Sequence, residues 1–179
     1  MTGDGAIKSR IRTIPDYPKP GVRFRDITTL LLDPQGLRAA VEGLARPFAG
    51  RAIHKVAGIE ARGFILGGAV ASALASGFVP VRKRGRLPWT TIGQDYHLEY
   101  GSDRVEIHAD AIRAGDLVLL VDDLVATGGT AEATIQLIER AGGRIAACAF
   151  VIDLPDLGGR RRLEARGHEV VALCQFEGD

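Results

Sequence analysis

Apolar positions along the chain fall into short unbroken runs, and between them lie apolar stripes at helical spacing or stretches rich in glycine and proline. Residues 55–59, 78–82, 117–121, 145–152 and 170–174 are runs dominated by Val, Ile, Leu and Ala, the signature of strands buried on both faces of a parallel sheet. Helices are predicted between them. Asp33-Pro34 supplies an N-cap with proline at the first helical position, ahead of Leu37, Val41, Leu44 and Phe48 on one face. Residues 64–76 form a small-residue helix that Gly77 can terminate, Ala131, Ile135, Ile138 and Ala141 mark another, and residues 160–166 a short one. Near the start, Ile7, Ile11 and Ile14 share one face of a helix that must stop before Pro15. Residues 15–21 hold three prolines and a glycine, which excludes a regular element, and residues 22–26 continue as a loop. Val105 and Ile107 alternate with polar neighbours, as in an edge strand.

The strand-helix alternation predicts an α/β fold with a central, mostly parallel, twisted sheet flanked by helices. A right-handed crossover makes strands 55–59 and 78–82 parallel, so the turn Glu60-Ala61-Arg62-Gly63 shares the carboxyl edge of the sheet with Asp122 and Asp123, which end strand 117–121. A chain of 179 residues is one domain, large enough to bury roughly 70% of its unfolded surface. The net charge of +1 gives no bulk attraction to nucleic acid or to a membrane surface. Cys148 and Cys174 lack ligand-like spacing to each other or to the histidines, and read as free core thiols of a reducing cytosol. With no apolar run near the roughly 18 to 20 residues of a membrane span, a cytoplasmic protein is expected.

The chemistry concentrates at the carboxyl end of the 117–121 strand. Asp122 and Asp123 lead into Leu-Val, then Ala126-Thr127-Gly128-Gly129-Thr130 and a helix. Ligands of open α/β sheets bind outside the carboxyl ends of the strands. Glycines let backbone approach a phosphate, and N–H groups at a helix start favour an anion. Carboxylates repel phosphate, so acids and loop must serve different parts of one ligand, and a polyhydroxylated sugar carrying a phosphate satisfies both. A strand cap followed by a tight turn is the plainer alternative. Neither a Walker A pattern nor Gly-x-Gly-x-x-Gly is present here. Farther upstream, a polar stretch over residues 83–101, holding Trp89, His97, Glu99 and Tyr100, has the length of a lid or binding loop.

The run from Val121 to Thr130 resembles the phosphoribosyl diphosphate (PRPP) motif of type I phosphoribosyltransferases. Together with Pro-Gly-Val-Arg-Phe-Arg-Asp, Ile-Glu-Ala-Arg-Gly-Phe, Val-Arg-Lys-Arg-Gly and Leu-Glu-Tyr-Gly, it is similar to the adenine phosphoribosyltransferase family over nearly the whole chain. The resemblance implies transfer of phosphoribosyl from PRPP to adenine, giving AMP and pyrophosphate. Asp122 and Asp123 would hold the ribose, and residues 126–130 the 5′-phosphate. Glu60, Ala61, Arg62, Arg82, Lys83 and Arg86, with Mg²⁺ held mainly by substrate phosphates and water, would serve the pyrophosphate. Arg23, Phe24 and Arg25, in a base-recognition segment over residues 1–33, would meet adenine. Glu99 would handle a proton at the base while Tyr100 closes over the reacting centre. A homodimer is implied, since part of the basic run can reach a neighbouring site. Trp89 and Asp153-Leu-Pro-Asp156 depart from the family pattern. Two other readings stay open: a regulator of the same fold that senses PRPP or a nucleotide, and a transferase for an oxo-purine.

Overall fold

A computed structural model describes residues 3–98 and 101–178. Helix α1 (Gly3–Lys8) leads into a two-stranded antiparallel ribbon, β1 (Arg12–Pro15) and β2 (Arg23–Asp26). Helices α2 (Thr28–Leu32) and α3 (Pro34–Ala45) precede β3 (Lys55–Ile59), α4 (Arg62–Ala73) and β4 (Gly77–Lys83). A hairpin follows, β5 (Thr91–Leu98) and β6 (Gly101–His108). The chain then runs through β7 (Leu117–Val125), α5 (Gly129–Arg140), β8 (Arg144–Asp153), α6 (Gly159–Glu164) and β9 (Val170–Gln175).

Seven strands form one sheet in the order β5-β6-β4-β3-β7-β8-β9, parallel from β4 to β9 and antiparallel at β5 and β6. Each face of the parallel part is covered. Leu119 and Val121 of β7 belong to a core with Leu44, Phe48, Leu66 and Val70 from the α3–α4 side, whereas Val118 and Leu120 belong to one with Ile135, Leu137 and Ile138 of α5. This double burial is why β7 reads as an uninterrupted apolar run. The small residues of α4 have a similar cause: a Cβ on Gly67 would stand 2.9 Å from the Phe78 ring and 3.2 Å from Gly58 Cα, so only glycine lets helix and sheet approach this closely.

Several boundaries differ from those expected. Of the three isoleucines expected on one helix face, only Ile7 is helical: α1 ends at Lys8, Ile11 lies beyond it, and Ile14 lies in β1 because residues 12–15 pair with β2. The expected loop 22–26 is for the same reason largely a strand. Phe48 sits in a 3₁₀ turn beyond α3. Ala75, at φ 53°, takes the left-handed position after α4, and Gly77 starts β4 instead of capping the helix. Asp122 and Asp123 do not end their strand, which pairs with β8 as far as Val125. Val105 and Ile107 belong to an inner strand, since β5 occupies the edge. Within the polar stretch 83–101, residues 91–98 are a regular strand whose polar residues suit an edge. Among the described residues, no helix is long and apolar enough to cross a membrane.

Candidate active site

A cavity of about 590 Å³ opens at the carboxyl ends of β3, β4 and β7. It brings together Arg23, Phe24 and Arg25 from β2, Glu60 and Arg62 from the β3–α4 turn, Arg82 and Lys83 from β4, Asp122 and Asp123 from β7, and the loop 126–130. Parallel strands place their following loops at one edge, which is how segments distant in sequence converge. Ala61 and Arg86 are outside the lining, and Glu99 and Tyr100 lie outside the described residues.

Asp123 is 5% exposed and accepts a hydrogen bond from the Arg62 Nε–H. Its own amide donates to Asp122 Oδ1 at 2.9 Å. Burial, reinforced by the Asp123 charge, pushes the Asp122 carboxyl well above the usual carboxylate range. Asp123 is thus paired with a guanidinium, while Asp122 sits beside it in surroundings that disfavour its charge. Behind the following loop, the Gly159 amide donates to Ala126 O at 2.9 Å. A Cβ on Gly159 would stand 2.2 Å from that oxygen and 2.7 Å from Gly128 N. Gly128 has φ 81° and directs the chain into α5, so the loop presents the first amides of a helix toward the cavity.

The cations on the opposite wall are each held by a carboxylate. Arg82 donates through Nε and Nη2 to Glu60 at 3.3 and 3.2 Å, and the Lys83 amide donates to the same group at 3.1 Å. Arg86 Nη1 stands 3.8 Å from Glu60 Oε1. Burial works to raise the Glu60 carboxyl, but these donors outweigh it and the net shift is downward. Lys83 Nζ lies 3.0 Å from Asp103 Oδ2, which also accepts from the Tyr96 hydroxyl at 3.1 Å. Asp103 raises the Lys83 ammonium pKa. Tyr96 and Asp103 face each other across the β5–β6 hairpin and line the cavity. Sequence reasoning missed both, because their meeting depends on a hairpin register that a polar stretch does not announce.

On the side of β2, the Phe24 ring packs edge-on against Tyr17 at 5.2 Å, and the Arg62 guanidinium lies 5.7 Å from its centroid. Arg25 is buried, donates to Thr13 Oγ1 at 2.8 Å and lies over the Phe176 ring at 4.5 Å. These contacts give the segment a fixed aromatic face. Among the described residues, no three His, Cys, Asp or Glu side chains converge as a metal cage. The oxygen-only acids here suit a hard cation such as Mg²⁺, which keeps water ligands and takes phosphate oxygens from a substrate.

A family model for the phosphoribosyl transferase domain matches residues 32–174. The chain is 65% identical over 172 residues to the adenine phosphoribosyltransferase of Parvibaculum lavamentivorans, covering 96% of this chain and 98% of that one. It superposes on the adenine phosphoribosyltransferase crystal structure of Rhodothermus marinus with a TM-score of 0.92, at 54% identity, covering 98% of this chain and 99% of the other. The Giardia lamblia enzyme crystallised with 9-deazaadenine gives a TM-score of 0.91 at 34% identity, over 98% of both chains. Its seven-stranded sheet, the acid pair leading into a glycine loop, and this full-length likeness together make the chain a member of the adenine phosphoribosyltransferase family.

Proposed function

We propose that this cavity joins adenine to the phosphoribosyl group of PRPP, releasing pyrophosphate and yielding AMP, as a step of purine salvage. The observation that carries the reading is that the acid pair, the 126–130 loop, the cations Arg62, Arg82 and Lys83, and the Phe24 face all line one cavity. A ring nitrogen of adenine displaces diphosphate from the anomeric carbon, so positive charge grows on the ribose and negative charge on the leaving group. Asp122 and Asp123 hold the ribose hydroxyls and counter the sugar cation. The loop amides take the 5′-phosphate. Arg62, Arg82, Lys83 and Arg86, with the backbone of Glu60 and Ala61, receive the diphosphate. Mg²⁺, held by diphosphate oxygens and water close to Asp122 and Asp123, would neutralise part of the departing charge.

Phe24 stacks on the purine, and backbone polar groups around Arg23 and Arg25 read its exocyclic amine, leaving an unmatched group against an oxo-purine. Glu99 handles the proton of the base, and Tyr100 closes over the reaction within a lid spanning residues 83–101. The family resemblance supports a cytoplasmic homodimer whose ligands are adenine and PRPP. Steady-state rates with adenine, hypoxanthine, guanine and xanthine, each with PRPP and Mg²⁺, test the assignment. Turnover with adenine alone is expected. A preference for an oxo-purine would reassign the substrate, and no turnover with any purine would favour a PRPP-sensing regulator.

A further inference from the structure

We propose that Asp103 is a positioning residue that parks Lys83 beside the cavity assigned to PRPP, competes with the diphosphate for that lysine, and thereby hastens pyrophosphate release. The inference rests on the proposed reaction and adds a residue that neither the motif nor the mechanism above requires.

Three observations carry it. Asp103 is a carboxylate in the lining of a cavity meant for a polyanion, where its charge opposes the ligand. Its two side-chain partners are Tyr96, 8% exposed and held from the opposite strand, and Lys83, whose side chain is 57% exposed. The Tyr96 phenol also has the Thr130 hydroxyl of the phosphate loop beside it. Asp103 keeps its buried partner Tyr96 when the lysine leaves, and the exposed Lys83 side chain has room to turn, so a diphosphate can draw Lys83 away from Asp103. The carboxylate could instead help binding by ordering Lys83 in advance. The attraction between Lys83 and Asp103 has to be given up before the diphosphate gains the lysine, and in a partly buried pocket that loss outweighs the entropy of ordering a single lysine side chain, so competition prevails. Substrate and product are weakened alike, and the product leaves faster.

The test is the Asp103→Asn protein, assayed beside the wild type with PRPP, adenine and Mg²⁺, with pyrophosphate as product inhibitor. The expected result is a KM for PRPP and an inhibition constant for pyrophosphate each at least threefold lower, a lower kcat, and an unchanged KM for adenine. Asp103→Glu should move these values back toward wild type. In a Lys83→Ala background, the effect of Asp103→Asn should shrink, since the contested cation is gone. Tyr96→Phe, which loosens Asp103 without removing its charge, supplies a milder variant should the first fold poorly, and should move the two constants by less in the same direction. Constants within twofold of wild type, or a raised PRPP KM accompanied by a higher Mg²⁺ requirement, would overturn the proposal, the latter by making Asp103 a metal ligand. A wild-type protein inert toward adenine would instead count against the reaction itself.

Discussion

Arg62, at the first turn of α4, donates its Nε–H to Asp123 Oδ2, so a cation intended for one end of the ligand rests on an acid intended for the middle. Under the proposed function, binding of PRPP exchanges this pair for ribose hydroxyls on one side and phosphate oxygens on the other. Asp123→Asn should lower kcat/KM for PRPP by about 10²-fold, the cost of losing one preorganised electrostatic contact. The Arg62 side chain is 35% exposed, so solvent screens the pair and unfolding stability should fall by only about 1 kcal/mol. Steady-state kinetics and a urea titration check the two numbers; kinetics within threefold of wild type would remove Asp123 from the ribose site.

The 126–130 loop depends on the absence of a methyl group at position 159. Gly159→Ala would press a Cβ onto Ala126 O and Gly128 N, which are backbone atoms that cannot swing aside. We expect a loss of about 1–3 kcal/mol and a raised KM for PRPP. Gly68→Ala, in the interior of α4 with nothing within 4 Å of the new Cβ, should instead gain about 0.5–1 kcal/mol. Thermal melts of both variants decide the matter, and equal shifts in the same direction would refute the contrast.

Away from the site, the Arg12 guanidinium leads the interactions that lower the Asp26 carboxyl to about 2, with the Thr28 amide and hydroxyl assisting against burial. A carboxyl held below its unfolded value of 3.8 adds stability above that value and loses it as pH falls toward about 2. Arg12 is 55% exposed, so the contribution is discounted to about 1 kcal/mol. Asp26→Asn should therefore be less stable than wild type at pH 7 and equal to it below about pH 2. Urea midpoints across this range are the measurement, and a gap that persists at low pH would contradict the linkage.

Glu99→Gln should cut kcat by about 10²–10⁴-fold while leaving PRPP affinity near wild type, the pattern of a lost proton-transfer group. Single-turnover rates alongside calorimetric PRPP titration separate the two effects. Unchanged turnover would end the assignment of Glu99 to the base.

Much of this arrangement can be read from residue order, for reasons that differ by segment. Lys55–Ile59 is buried on both faces, and its apolar run matches the observed strand from end to end. The Asp33-Pro34 start of α3 is a local signal, and Asp33 does accept from the Gln35 amide. The acid pair and its loop needed only the rule that parallel strands share an edge. What escaped was set by pairing. Ile14 looks helical beside Ile7 and Ile11, but β2 recruits it. Polar residues 91–98 look like a loop because an edge strand with one solvated side carries little apolar pattern. Asp103 is one acid among 22 acidic residues until Tyr96 and Lys83 close around it.

The hydrogen bond from Gly159 to Ala126 ties the 126–130 loop to a segment more than thirty residues downstream, past the whole of β8. The strand, acids, loop and helix of residues 117–140 are consequently not a transplantable module. A graft of that fragment onto another parallel sheet would carry every recognisable letter of the signature yet lack the backing that shapes it, and should bind phosphorylated sugars poorly unless the 154–159 turn travels with it.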